Sequence, residues 1–131
     1  MKNMLNETTP IELKEQANDL YKQGRYKEAI SMYSQAIELQ PDPTFFSNRS
    51  AAQWMLNKYE LCLEDCYSAL ALDSQMAKVI SRAMKCLVAL GKTIEAEELC
   101  EKAIIAAKEL KKEKEVSQLT REVSYLMCLM R

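Results

Sequence analysis

Lys14, Asn18, Asn48, Lys78 and Arg82 are the residues of this chain whose types and spacing point to chemistry. A lysine offers a compact ammonium charge, and an arginine offers a planar fork that matches the two oxygens of a carboxylate. An asparagine donates from its amide nitrogen and accepts at its carbonyl, which suits the peptide group beside such a carboxylate. Lys14 and Asn18 are four residues apart, as are Lys78 and Arg82, so each pair spans one helical turn. Brought together, the five would form a socket for one anion, and specifically for the free carboxyl end of another protein.

Other chemistries are excluded by what the chain lacks. It has no histidine, which removes the commonest general base and every Ser-His-Asp or Cys-His arrangement. Gly24 and Gly91 are isolated, so no glycine-rich phosphate loop exists. A binding module is expected, not an enzyme, with no catalytic residue, no metal and no cofactor. The five cysteines (Cys62, Cys66, Cys86, Cys100, Cys128) include no CxxC pair. Cys62 and Cys66 share a helical face and read as small core hydrophobes, not as metal ligands. An odd cysteine count without a signal peptide suits a reducing compartment, the cytoplasm or the nucleus. Nineteen acidic and eighteen basic residues give a net charge of -1, too little to gather nucleic acid or a membrane surface.

Helices must position the five side chains. Two glycines, three prolines and a 48% hydrophobic fraction favour one all-α domain. Laid on itself, the chain repeats: Gly24, Asn57 and Gly91 correspond, as do Tyr33, Cys66 and Cys100, and Ala36, Ala69 and Ala103. The first step is 33 residues and the second 34, a period that means stacked helical hairpins. The pattern predicts helices at Pro10–Gln23 and Tyr26–Leu39, Thr44–Leu56 and Tyr59–Leu72, then Ala77–Leu90 and Thr93–Ala107. Gly24, Asn57 and Gly91 would each close a first helix in a left-handed conformation.

The units span about 10–43, 44–76 and 77–108, after a flexible segment at 1–9. Residues 109–131 read as a C-terminal capping helix. It opens in the charged stretch Lys108–Glu115 and bears an apolar stripe of Val116, Leu119, Val123, Leu126 and Met130. The apolar end "YLMCLMR" also suits self-association or the continuation of a longer chain.

The units resemble the tetratricopeptide repeat. The first, "ANDLYKQGRYKEAISMYSQAIELQP", follows the family pattern through its closing proline. The second, "NRSAAQWMLNKYELCLEDCYSALALDS", has Asn57 for the turn glycine and Ser74 for the proline; the third, "RAMKCLVALGKTIEAEELCEKAI", has Thr93 for the aromatic residue. The resemblance covers about residues 10–108 and implies an α-solenoid of three helix-turn-helix repeats, its concave face lined by the first helix of each.

On that face, helical periodicity places Lys14, Asn18, Tyr21 and Lys22 together, then Asn48, Ala51 and Met55, then Lys78, Arg82 and Lys85. The segments "LKEQAN", "SNRSAA" and "KVISR" are similar to the carboxylate clamp of co-chaperones. The resemblance implies that Lys14, Asn18, Asn48, Lys78 and Arg82 bind a peptide carboxylate. The implied partner is the C-terminal Glu-Glu-Val-Asp tail of heat-shock protein 90 or 70. Tyr21, Ala51, Met55 and Lys85 would form the groove wall, with Val88 adding apolar surface and Trp54 either doing the same or packing between its two helices. Glu15 is the one acid on that face against Lys14, Lys22, Lys78, Arg82 and Lys85. Two other readings stay open: a scaffold for an internal segment of an unrelated partner, and the docking domain of a longer enzyme.

Overall fold

The computed structural model describes residues 8–109 and 113–130, with only the backbone of 113–117. Among these, seven helices follow one another without a strand: α1 (Pro10–Lys22), α2 (Tyr26–Leu39), α3 (Pro43–Met55), α4 (Tyr59–Leu72), α5 (Ala77–Ala89), α6 (Thr93–Glu109) and α7 (Glu113–Leu129). Most of the expected N-terminal segment, and part of the charged 108–115 stretch, lie outside the described residues. Each helix packs on the next, while α1 meets α3, α3 meets α5 and α5 meets α7. The chain is an all-α solenoid of three helical hairpins followed by α7.

Local chemistry sets the helix ends. Thr9 and Glu12 form a reciprocal cap on α1: Glu12 N donates to Thr9 Oγ1 (3.1 Å), and Thr9 N donates to Glu12 Oε1 (2.9 Å). The backbone donor lowers the Glu12 carboxyl below the ordinary range. Asp42 caps α3 by accepting from Thr44 N at 2.8 Å. Pro43, lacking an N–H, then takes the first helical position, so α3 starts one residue earlier than expected.

The three inner turns close alike. Gly24, Asn57 and Gly91 have φ of +78°, +60° and +78°. The next residue reaches back to the helix each time: Arg25 N to Leu20 O (2.9 Å), Lys58 N to Gln53 O (2.9 Å) and Lys92 N to Leu87 O (2.7 Å). These bonds satisfy carbonyls that a helix end would otherwise leave open.

Small side chains let the helices approach. Ala29, Ala36, Cys62, Cys66 and Ala69 are wholly inaccessible to solvent at 0% exposure. Cys62 and Cys86 touch at 3.0 Å between sulfurs in the central core cluster, Cys100 is also buried, and Cys128 is exposed. Its interaction with Cys62, then burial, pushes the Cys66 thiol up, and burial followed by the Glu101 charge does the same for Cys100. Cys66 and Cys100 therefore stay protonated and act as packing groups.

A part-buried ion pair ties α3 to α4 within the second hairpin, and its arginine also reaches α2 of the first. Arg49 donates to Asp65 through Nε (2.6 Å) and Nη2 (2.7 Å), and through Nη1 to Ser34 Oγ (2.9 Å). Leu119 and Leu126 of α7 are buried, and Leu126 clusters with Met84 and Cys100.

A candidate anion-binding groove

Two of the five candidate residues, Asn18 and Asn48, meet directly. Asn48 Nδ2 donates to Asn18 Oδ1 at 3.2 Å, and the Tyr33 hydroxyl donates to the same oxygen. With that oxygen doubly engaged, the Asn18 amide N–H groups donate to no acceptor among the described residues. Tyr33 is 1% exposed. Burial, then the neighbouring Tyr21, pushes its hydroxyl up to about 12, so it remains a donor at neutral pH. A cavity of about 230 Å³ opens here, lined by Asn18, Tyr21, Lys22, Tyr33, Asn48 and Ala51.

Lys78, Arg82 and Lys85 come together in an adjoining cleft of about 320 Å³, with Tyr21 and Ala51 shared between the two spaces. Arg82 Nη1 donates to the Ser47 carbonyl (3.2 Å) and to Ser50 Oγ (3.1 Å), which fixes its head across the α3–α5 junction. Lys78 stands in the first turn of α5, where the positive end of the helix disfavours a cation. That placement adds to a local positive field and does nothing for the helix. Among the described residues, Lys14, Lys78, Arg82 and Lys85 enter no salt bridge, whereas Arg25 pairs with Glu28 and Arg49 with Asp65.

Not every expected carboxylate-binding or wall residue lines these spaces. Lys14 is half-buried on α1 but borders neither cavity, and Met55 is 47% exposed and also borders neither. Val88 lies instead against the α6 and α7 side with Met84 and Leu126. Its place on the helix turns it away from Tyr21, so it adds no groove wall. Trp54 does both jobs foreseen for it: it packs on the central core and on Tyr59 (5.0 Å between rings), and it lines the cationic cleft. Glu15 is exposed and lines neither cavity; the acid that enters the cationic cleft is Glu122 of α7, beside Gln118.

Sequence reasoning missed Tyr33, Ser47, Ser50 and Glu122. Tyr33 had a signal: a polar-tipped aromatic stands where the other repeats carry cysteine. In its chemistry the groove offers amide donors at one end and, at the other, cations that pair with no carboxylate among the described residues, an arrangement suited to an anion.

Known proteins share this architecture. A tetratricopeptide repeat model matches residues 10–43. The Hsp70/Hsp90 co-chaperone CNS1 of Saccharomyces cerevisiae is 33% identical over 88 residues, which is 63% of this chain and 23% of that protein. The chain spans 11% to 23% of the length of eight curated relatives that it matches. The second TPR domain of human RPAP3, in complex with the HSP70 peptide SGPTIEEVD, superposes with a TM-score of 0.77 at 28% identity, covering 90% of this chain and 94% of that one. The first TPR of Spaghetti (RPAP3), bound to the HSP90 peptide SRMEEVD, gives 0.70 at 29% identity, covering 88% and 94%. The tetratricopeptide repeat thus matches the first hairpin, and the two further hairpins are built and closed the same way.

Proposed function

We propose that the groove binds the C-terminal tail of a heat-shock protein 70 or heat-shock protein 90 chaperone, ending Glu-Glu-Val-Asp, and that the chain acts as a co-chaperone-like adaptor. The observation that carries this reading is the cleft itself, where Lys78, Arg82 and Lys85 face one space without a carboxylate partner, next to the coupled Asn18 and Asn48. The similar TPR domains of RPAP3 hold peptides ending in that sequence, which supports the same ligand class here.

In this reading Asn18 and Asn48 hold the terminal carboxylate and its peptide group, and Lys14, one turn before Asn18 on α1, adds its charge from outside the two cavities. Lys78 and Arg82 take the aspartate side chain and the main-chain oxygens behind it. Tyr21 and Ala51 flank the ligand between the two cavities, and Lys85 extends the positive wall. The chain performs no catalysis of its own and works in the cytoplasm.

Each charge-assisted hydrogen bond contributes about 1.5–3 kcal/mol, and the ordering of an extended tail offsets several of them. A Kd near 1 μM, about -8 kcal/mol, is expected. Calorimetric titration with SRMEEVD as the free acid and as the C-terminal amide tests the reading. The free acid should bind and the amide should not; equal binding would exclude a carboxylate site and favour a partner's internal segment.

A further inference from the structure

The groove continues past α5. A third cavity, of about 380 Å³, is lined by Lys85, Gln118, Arg121, Glu122 and Tyr125. It shares Lys85, Gln118 and Glu122 with the cationic cleft, so amide cavity, cationic cleft and α7 cavity form one continuous path. Tyr125 is 60% exposed, leaving the far end open to a ligand.

Charge is distributed unevenly along that path. The amide cavity has no acidic lining residue, and Glu122 is the one carboxylate lining any of the three among the described residues. Glu122 enters no salt bridge among those residues. A ligand's carboxyl terminus therefore belongs at the Asn18–Asn48 end, and its upstream residues run towards α7, where Glu122 repels a carboxylate and attracts a cation. Neighbouring helices lie about 10 Å apart and an extended chain advances about 3.3 Å per residue. The two helix spacings from α1–α3 to α5–α7 thus take up about five or six residues.

We propose that α7 is the upstream wall of the ligand groove, and that Glu122 biases the ligand residue about five positions before the carboxyl terminus towards a basic side chain. The inference rests on the carboxyl-terminus reading above. Lys85 and Arg121 line the same cavity and limit the size of the preference, so the discriminating quantity is the coupling between residue 122 and the ligand charge. Of the two tails bound by the similar RPAP3 domains, SRMEEVD carries arginine five residues before its terminal aspartate and SGPTIEEVD carries threonine. Glu122 therefore favours the first.

The test titrates the full chain and its Glu122→Gln and Glu122→Lys variants, at low salt, with three free-acid peptides: SRMEEVD, SEMEEVD and the shorter MEEVD. The ratio of affinities for the arginine and glutamate peptides should fall about two-fold in Glu122→Gln and about five-fold in Glu122→Lys, the range of an exposed ion pair. Glu122 also lines the cationic cleft, so all three peptides, MEEVD included, should gain affinity by a common factor that the ratio cancels. An unchanged ratio overturns the role of Glu122 while leaving carboxylate capture intact. If the SRMEEVD amide binds as well as the free acid, the underlying reading falls and takes this one with it.

Discussion

At the α1–α3 end of the groove Asn18 is held by Tyr33 and Asn48, whereas at the α5 end Lys78, Arg82 and Lys85 share a cleft with no carboxylate paired to them. The first end is organised before any ligand arrives, because donors and acceptors within the protein fix the amides. The second end keeps like charges near one another, and an anion relieves that repulsion when it binds. Geometry is thus supplied mainly by neutral groups and affinity mainly by charged ones.

Arginine makes the same division visible. Arg49 is committed to Asp65 and Ser34 inside the scaffold, while Arg82 is steadied by Ser47 and Ser50 and keeps its charge for the groove. Arg49→Ala should produce the largest effect on the protein: about 3 kcal/mol of stability, because Asp65 is left buried without a partner. Thermal unfolding would register this as a drop of several degrees. Arg82→Ala should do the reverse, leaving Tm nearly unchanged and weakening SRMEEVD binding by about 1.5–3 kcal/mol, roughly ten-fold to a hundred-fold. A large Tm loss in Arg82→Ala would erase the contrast between the two arginines.

The amide end calls for a finer probe. Tyr33→Phe removes one donor to Asn18 and should cost about 1 kcal/mol of peptide affinity, about five-fold by titration, with Asn48 still holding Asn18 from the other side. The hydroxyl also has a signature in pH. Its folded value of about 12 lies above the ordinary tyrosine value, so the folded state retains the proton longer than the unfolded chain. The associated stability is fully present below about pH 10 and is lost as pH rises towards 12. Tm should therefore fall more steeply over that window in the native chain than in Tyr33→Phe.

The smallest expected effect concerns a turn remote from both ends. Asn57 occupies a left-handed conformation at φ +60° and accepts a hydrogen bond from the Tyr59 hydroxyl at 3.0 Å. Asn57→Gly relaxes the backbone and loses that exposed bond, for a net change within about 1 kcal/mol of zero and no change in peptide binding. Denaturant unfolding with a shared slope would measure it.

How much was legible in the sequence follows from which residues lie in the repeat register. Gly24, Asn57 and Gly91 recur in phase, and their turns close with the same hydrogen-bond pattern. The coupling of Asn18 to Asn48 and the gathering of Lys78, Arg82 and Lys85 likewise follow from one helical face repeated three times. Tyr33 was hidden because its repeat position is a core position; only its hydroxyl reaches the groove. Val88 packs on the α6 and α7 side and Met55 borders neither cavity, because a helical stripe gives a direction but not the distance to the opposite wall. Glu122 was not found, since α7 stands outside the repeat and its apolar stripe tells which face packs on the core but not which polar residue meets the groove. The Arg49–Asp65 pair depends on two helices meeting at one height, a property of the packed hairpins that neither segment carries alone.

The lone tryptophan of the chain lines the cleft between Lys78, Arg82 and Tyr21 while its other edge rests on the core. That position makes Trp54 an intrinsic optical reporter: with excitation at the red edge, where the six tyrosines do not absorb, the emission comes from one groove residue. A peptide entering the cleft displaces water from the ring and changes its emission, so occupancy can be followed in the unmodified chain without attaching a dye to either partner.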